Sequence, residues 1–480
     1  MSSGKKIVTN STILMGAEFS SRFIRIALVV FSARLLGDDN YGKFSFALAF
    51  TTLFLIIADM GIHQLLVREV ARNPDRVKKY LANGLAIKIF LSALNLLLIF
   101  SIINLTNKTQ DVVVAVYILA ASHILNSFCE LFKAIFQAFQ RMKYDAISTV
   151  LYSFSNTVLG VGVLLMGGGF QELAWMYLAG SFLNLLYCVW VITHKFTPFA
   201  FEFDVPLVKF LFREGLPFGI LFFFAMMYTY ISSVILSFMV NDEVVGWYNA
   251  AYRLVFFMLF IPMGVMKAVF PVLSKHYKES MTHFTQLFEK TFKVMFFVGF
   301  SLATLISLLS EKIILLLYGE EYINAAAVLK ILVWSTALIF ITTVMTHTTR
   351  ASDRQKFTAK AVGFSAFLNI VLNIVLIRKY SYIGAAFATL ATEGSTFVLH
   401  VVYLSRRLVK PPILKLAPRL IAINLVTAIP ILLFMKLNIF ILGPAALAVN
   451  LMMVFITRYF SKEEFDFIRG IVRPSQNKDL

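Results

Sequence analysis

The residues best able to do chemistry in this 480-residue chain are charges set inside otherwise apolar stretches. In "GAEFSSRFIRIALVVFSARLLG", Gly16 to Gly37, the residues Glu18, Arg22 and Arg25 fall at i, i+4 and i+7. They share a helical stripe with Ser21 and Ser32, while Phe19, Phe23, Ile26, Val30 and Phe31 take the other faces. A span from Ile13 to Leu36 puts Arg25 near its middle. There an Arg facing lipid costs at least about 2.5 kcal/mol, so it is expected to face protein or water. Glu18 can pair with Arg22 to hold the bundle together, which leaves Arg25 without an evident acid on its own helix. A guanidinium so placed is a candidate ligand for an anion.

Other cations sit at comparable depth. Asn249 and Arg253 are four apart, beside Tyr252 and Phe256, with Lys267 nearer the inner end of the same span. Ser122, Asn126, Glu130, Lys133 and Gln137 make another stripe, in which Glu130 and Lys133 at i, i+3 can neutralise each other. Lys88, Ser92 and Asn95 give a third face, for which helix packing is an equal reading. Arg22, Arg25, Arg253, Lys133, Lys88, Asn249 and Lys267 therefore form the candidate substrate-binding set.

A second constellation is rich in oxygen. Glu393 lies in the middle of "GAAFATLATEGSTFVLHV" with Thr389 and Thr392, and the preceding span presents Asn369 and Asn373 at i, i+4. Such groups suit a Na⁺ or H⁺ coupling ion, although amides and hydroxyls also serve as glue between membrane helices. Asp59, at the end of its helix, is expected to meet water or the basic loop beyond it. Cys129 and Cys188 fall inside spans and read as packing residues. No Walker A pattern, H-E-x-x-H or nucleophile elbow occurs, so neither an enzyme nor a cofactor is expected, and no firm metal site.

The elements that must position these groups are membrane helices. With 59% hydrophobic residues and a mean hydropathy of +0.79, the chain cannot hide its apolar surface in one water-soluble core. Apolar runs long enough for a hydrocarbon layer of roughly 30 Å number about fourteen. The net charge of +18 is not a nucleic-acid footprint: about 29 of the 44 Lys and Arg fall in the N-terminus, the even-numbered connections and the tail. That bias predicts cytoplasmic termini, and the apolar stretch after Lys5 and Lys6, broken by charge and without a small-residue cleavage pattern, reads as an uncleaved first helix.

The halves resemble each other. At an offset near 204, Asp38, Asp39 and Gly42 align with Asp242, Glu243 and Gly246; near 213, Arg141, Lys143, Tyr144 and Asn156 align with Arg354, Lys356, Phe357 and Asn369. The expectation is an all-α polytopic membrane protein. It has a six-helix lobe at 1–194, a cytoplasmic linker at 195–213 and a second lobe at 214–406. Two further helices at 407–460 and an amphipathic tail at 461–480 follow. Pro198, Pro206 and Pro217 are expected to interrupt the helices at the joint. "SKHYKESMTHFTQLFEKTFKV" and the tail, with Ser461 and Glu464 in capping-box spacing, are expected to lie along the inner leaflet.

The stretches "ARLLGDDNYGKFSFALAF", "REGLPFGI", "VGWYNAAYRLVFF", "LLYGEEYINAAAVLKIL" and "SYIGAAFATLATE" resemble the Wzx-like oligosaccharide-lipid flippases of the multidrug/oligosaccharidyl-lipid/polysaccharide exporter superfamily. The resemblance implies a carrier in the bacterial cytoplasmic membrane, moving an undecaprenyl-diphosphate-linked oligosaccharide to the outer leaflet by alternating access. Membrane lipids, and glycan polymerase or export machinery, are the partners it implies, around a monomer. Arg22, Arg25 and Arg253 would then grip the diphosphate. Lipid II flippases, which are similar, carry a sodium site to which Asn369, Asn373 and Thr389 correspond by position; the seventh span here lacks its carboxylate, and Glu393 is the substitute. Competing readings are a drug exporter of the same superfamily and a non-transporting scaffold of a glycan-synthesis complex.

Overall fold

The computed structural model describes residues 3–199 and 202–472, and among them no strand occurs. Away from water a backbone must satisfy its own N–H and C=O groups, which only helices do within one segment. The first half of the chain folds into α1 (Ser3–Asp59), α2 (Ile62–Arg72), α3 (Val77–Asn104), α4 (Gln110–Ala138), α5 (Met142–Leu165), α6 (Phe170–Lys195) and α7 (Val205–Met239). It continues through α8 (Asp242–Met258), α9 (Phe260–Glu279), α10 (Met281–Leu308), α11 (Ser310–Leu317), α12 (Ile323–Ala351) and α13 (Gln355–Arg407). The chain closes with α14 (Ile413–Leu433), α15 (Ile439–Ile456) and α16 (Lys462–Val472).

Among the described residues, 12 helical stretches are long and apolar enough to cross a membrane. Two of them cannot be single crossings. α1 has 57 residues and α13 has 53, about 80 Å each at 1.5 Å per residue, against a hydrocarbon layer of roughly 30 Å. Each folds back at one residue, Gly37 (φ 74°) and Ser381 (φ 52°). Glycine takes that left-handed conformation freely; serine does so at a cost of about 1 kcal/mol. With two legs apiece, α1 and α13 bring the count to the fourteen or so that hydropathy predicts.

The chain divides into two compact units, Met1–Asn249 and Ala250–Leu480. In the first, α1 packs on α5, α4, α7 and α3, and α4 packs on α6 and α2. Its core gathers Ile62, Leu65 and Leu66 of α2 with Phe132, Ile135 and Phe136 of α4 and Val191 and Ile192 of α6. In the second, α12 is flanked by α13, α10 and α9, with Phe284, Phe288, Phe292 and Phe340 fully buried at its centre.

The internal repeat is written in the backbone. Gln140 (φ 55°) and Asp353 (φ 58°), 213 positions apart, both turn left-handed. After them Arg141 N donates to Phe136 O at 2.8 Å and Arg354 N to Thr349 O at 2.9 Å, a matched pair of helix ends. Asn156 packs on Gly180, and its repeat partner Asn369 reaches Thr392 at 3.3 Å.

Three expectations are corrected. Pro217 does not interrupt a helix: α7 starts at Val205, with Asp204 accepting from Leu207 N at 2.9 Å, and runs through Pro217 to Met239. Residues 205–213 are thus helix rather than linker. Gly215 and Gly219 let α7 press directly onto the backbone of Met60 and Gly61, and packing of this kind supports a proline inside a membrane helix. The segment from Ser274 is no separate surface helix either; it ends α9 and opens α10, sending Phe284, Phe288 and Phe292 into the core. The tail helix is docked on protein. Ser461 N donates to Glu464 Oε2 at 2.7 Å, Glu464 N to Ser461 Oγ at 3.3 Å, and Lys293 of α10 holds Glu464 at 2.7 Å. Residues 473–480 of the expected tail lie outside the described residues.

Candidate functional site

The first leg of α1 carries the arginine stripe, and the structure turns part of it outward. Ser21 is buried and its Oγ donates to Thr149 O of α5 at 3.2 Å, anchoring one face. On the other, Glu18 and Arg25 are exposed and Arg22 is half-buried between them, acted on electrostatically by both. Arg25 Nε donates to Ser21 O at 3.2 Å. Among the described residues no hydrogen bond engages its Nη nitrogens, the edge that would fork onto a phosphate or carboxylate. Arg25 stands roughly 18 Å from the Gly37 kink at 1.5 Å per residue, deep in its span. In the second unit Arg253 is half-buried and Lys267 is exposed.

The remaining members of the expected binding set are committed elsewhere, which corrects their assignment. Lys88 is fully buried and its Nζ is 2.6 Å from Asp59 Oδ1. Asp59, with its side chain 18% exposed, therefore pairs with an ammonium on α3. Lys133 lies 2.8 Å from Glu130 and 3.2 Å from Asp145 of α5. Asn249 is buried, and its amide donates to Ser233 Oγ of α7 and to Val245 O, both at 3.0 Å. These three hold helices together.

Part of the oxygen-rich set comes together on the two legs of α13, through Asn369, Asn373 and Thr392. Asn373 Nδ2 donates to Asn369 Oδ1 at 3.0 Å, and Asn369 Nδ2 to Thr392 Oγ1 at 3.3 Å. Thr389 and Glu393 are buried on the same leg as Thr392. The Asn373 Oδ1 carbonyl is buried with no hydrogen-bond partner, an acceptor able to take a cation or a donor.

A crossing that sequence alignment only hinted at joins the kink of α1 to the start of α8. Asp38 Oδ2 accepts from Trp247 Nε1 at 2.8 Å. Lys108 Nζ holds Asp242 Oδ1 at 2.7 Å and Ser237 Oγ at 2.6 Å, and Ser237 Oγ also donates to Asp242. The available signal was the alignment of Asp38 and Gly42 with Asp242 and Gly246. What it could not reveal is that the aligned residues touch.

Two repeats of membrane helices, each leg-and-kink in build, with cations kept on some of those legs, define a transporter of the multidrug/oligosaccharidyl-lipid/polysaccharide exporter superfamily. The chain belongs to the polysaccharide biosynthesis protein family, whose family model matches residues 7–277. The MatE family model also matches, over 217–375. The chain is similar to the "Probable low-salt glycan biosynthesis flippase Agl15" of Haloferax volcanii, 24% identical over 380 residues and covering 78% of this chain and 79% of that one. It is similar also to a "Putative O-antigen transporter" of Shigella dysenteriae, 21% identical, covering 81% and 97%. Among solved structures, "Lipid II flippase MurJ, inward closed conformation" superposes with a TM-score of 0.77 at 16% identity, over 96% of this chain and 100% of that one. At that identity the likeness is one of fold.

Proposed function

We propose that this protein is a flippase that carries a polyprenyl-diphosphate-linked oligosaccharide from the cytoplasmic to the outer leaflet by alternating access. Family membership, and similarity to proteins named as glycan flippase and O-antigen transporter, support the cargo class. One observation carries the chemistry: Arg25 stands exposed, deep in a membrane helix, with its Nη edge uncommitted. A sugar head group losing several kcal/mol per unpaired polar group cannot cross hydrocarbon unaided. It needs a wet path, and its diphosphate needs guanidinium forks, for which Arg22 and Arg25 are the assigned ligands in the first unit and, taken by itself, the second unit offers Arg253 and Lys267.

In this reading the Lys- and Arg-rich connections lie in the cytoplasm with both termini, and the cell membrane is the site of action. Export of a head bearing about two negative charges runs with a potential that is negative inside, worth about 2.3 kcal/mol per charge per 100 mV. Asn369, Asn373, Thr389 and Glu393 are the assigned Na⁺ or H⁺ coupling set. The protein itself makes and breaks no covalent bond.

The test is reconstitution. Proteoliposomes holding a polyprenyl-diphosphate oligosaccharide are probed with a membrane-impermeant glycosidase or lectin. Protein-dependent exposure of inner-leaflet substrate supports the proposal, and its absence overturns it. The MatE match favours a second reading, export of a small organic molecule; uptake of a cationic dye by the same vesicles, with no exposed glycan, would select it.

A further inference from the structure

Three carboxylates, two ammonium groups and one imidazole are packed together inside the first unit. Lys88 pairs with Asp59 at 2.6 Å. Lys133 bridges Glu130 at 2.8 Å and Asp145 at 3.2 Å, and Gln137 Nε2 donates to the second Asp145 oxygen at 2.8 Å. His63, one turn past the end of α1, places Nδ1 2.8 Å from the backbone carbonyl oxygen of Glu130 and 3.8 Å from its carboxylate. His63 stands four residues after Asp59 in the chain and contacts Glu130, so it lies between the two ion pairs.

Several charges on the packed elements nearby pair with one another. On α2 itself, Arg68 and Arg72 meet Glu69 at 2.8 and 3.5 Å, and Arg68 meets Glu214 of α7 at 3.6 Å. α7 also carries Lys209 and Arg213. On α3, Lys79 meets Asp204 at 2.5 Å. From α6 the neighbours are uncharged: Asn184 accepts from Ser148 at 2.8 Å beside Cys188.

With a neutral imidazole, two ammonium groups face three carboxylates, and one negative charge is left over. A carbonyl oxygen can only accept, so His63 Nδ1 carries a hydrogen in either state and Nε2 is where a further proton goes. One bound proton makes the cluster three against three. Lys88 and Asp145 are buried, and one bound proton beside them relieves the excess negative charge, so the balanced state is favoured.

The second repeat carries no charge at the corresponding positions of α4 and α5. At the 213-residue offset, Glu130, Lys133 and Asp145 correspond to Thr343, Thr346 and Thr358. Those hydroxyls close ordinary hydrogen bonds: Thr343 to Ile339 O at 2.7 Å, Thr346 to His400 at 3.3 Å, Thr358 to Thr349 at 2.8 Å. The same helical frame is held without a single formal charge at those three positions.

We propose that the Asp59, His63, Lys88, Glu130, Lys133 and Asp145 cluster is a proton-binding site of the first unit, filled at His63 Nε2 and reached from water through Glu130, whose side chain is 39% exposed. The site is separate from the oxygen-rich set on α13, and it binds its proton whatever the cargo.

The experiment needs no substrate. Full-length protein in detergent is taken from pH 8 to pH 5.5, and proton uptake is measured by potentiometric difference titration for wild type, His63→Gln, Glu130→Gln and the double variant. Glu130→Gln leaves two carboxylates against two ammonium groups, so the imidazole gains nothing by charging. Each single variant is expected to take up about one proton fewer than wild type, and the double variant no fewer than the lower single. Unchanged uptake in Glu130→Gln overturns the proposal, because proton binding would then be independent of Glu130. If His63→Gln does not fold, the comparison of Glu130→Gln with wild type decides the matter by itself.

Discussion

A Cβ on Gly42 would lie 1.7 Å from the carbonyl oxygen of Asp242, and one on Gly246 would lie 2.2 Å from the carbonyl oxygen of Asp38. Residues aligned by the repeat thus exchange contacts, each glycine against the other's aspartate, as residues do across a two-fold interface. The obstacle in each case is backbone, which cannot rotate away. Gly42→Ala or Gly246→Ala therefore opens the crossing. Labelling of a cysteine placed at the buried Ser45 by an impermeant maleimide should rise roughly ten-fold, the bias that about 1.4 kcal/mol against the closed form produces. Equal labelling in wild type and variants would mean that the crossing stays shut.

Arg25→Ala and Arg253→Ala should abolish exposure of the glycan-lipid in the vesicle assay while leaving membrane levels unchanged. Arg25→Lys should retain charge but lose the bidentate fork, with transport down roughly ten-fold. Normal transport by both alanine variants would assign the arginines to structure.

Glu393→Gln tests the coupling set on α13. The expected outcome is a transport rate that no longer responds to Na⁺ or to pH, with the fold intact by thermal unfolding. A response identical to wild type returns Glu393 to packing.

Lys88→Ala removes the ammonium that Asp59 faces and leaves a carboxylate enclosed. Breaking one side of such a pair costs roughly 3–5 kcal/mol, so the unfolding midpoint in detergent should fall sharply. The paired replacement Lys88→Gln with Asp59→Asn should recover most of it. A single variant as stable as wild type would show that water reaches Asp59.

Docking of α16 should depend on acid. Burial pushes the Glu464 carboxyl up, but hydrogen bonds from Lys293 and Ser461 outweigh it and hold the group below its ordinary value. A depressed carboxylate stabilises the fold at every pH above its unfolded value, about 4.3, and that contribution is lost as pH falls through the lower folded value. The protection of α16 amides, taken relative to the intrinsic exchange rate at each pH, should be steady from pH 7 to about 4.5 and fall below. Glu464→Gln should show the fast exchange at neutral pH, and slow exchange there would place the stabilisation in Phe465 packing on Phe455 and Phe460.

Helices and the repeat were readable because each rests on local pattern: apolar length and matching residues at a fixed offset; the kinks at Gly37 and Ser381 carried no such signal. The arginine stripe was readable for the same reason. Lys88, Lys133 and Asn249 were misread because a polar residue announces its own face but not what stands opposite. Asp59 is 29 positions from Lys88, and Ser233 lies on another helix. His63 carried no periodic signal at all; its importance comes from α2 packing on α4. Pro217 was misread because a rule for isolated helices met two glycines that bring a supporting neighbour close.

Gly37 has a mechanical corollary. It lies 12 positions after Arg25 and 5 before Gly42, with continuous helix on both sides, so α1 is a pair of stiff levers sharing one elbow. Any swing that lifts Gly42 off Asp242 must be absorbed at that elbow or passed to the arginine leg. A stiffer residue at position 37 would couple the two movements more tightly, and the flexibility of one peptide unit governs how far ligand binding at one end is felt at the other.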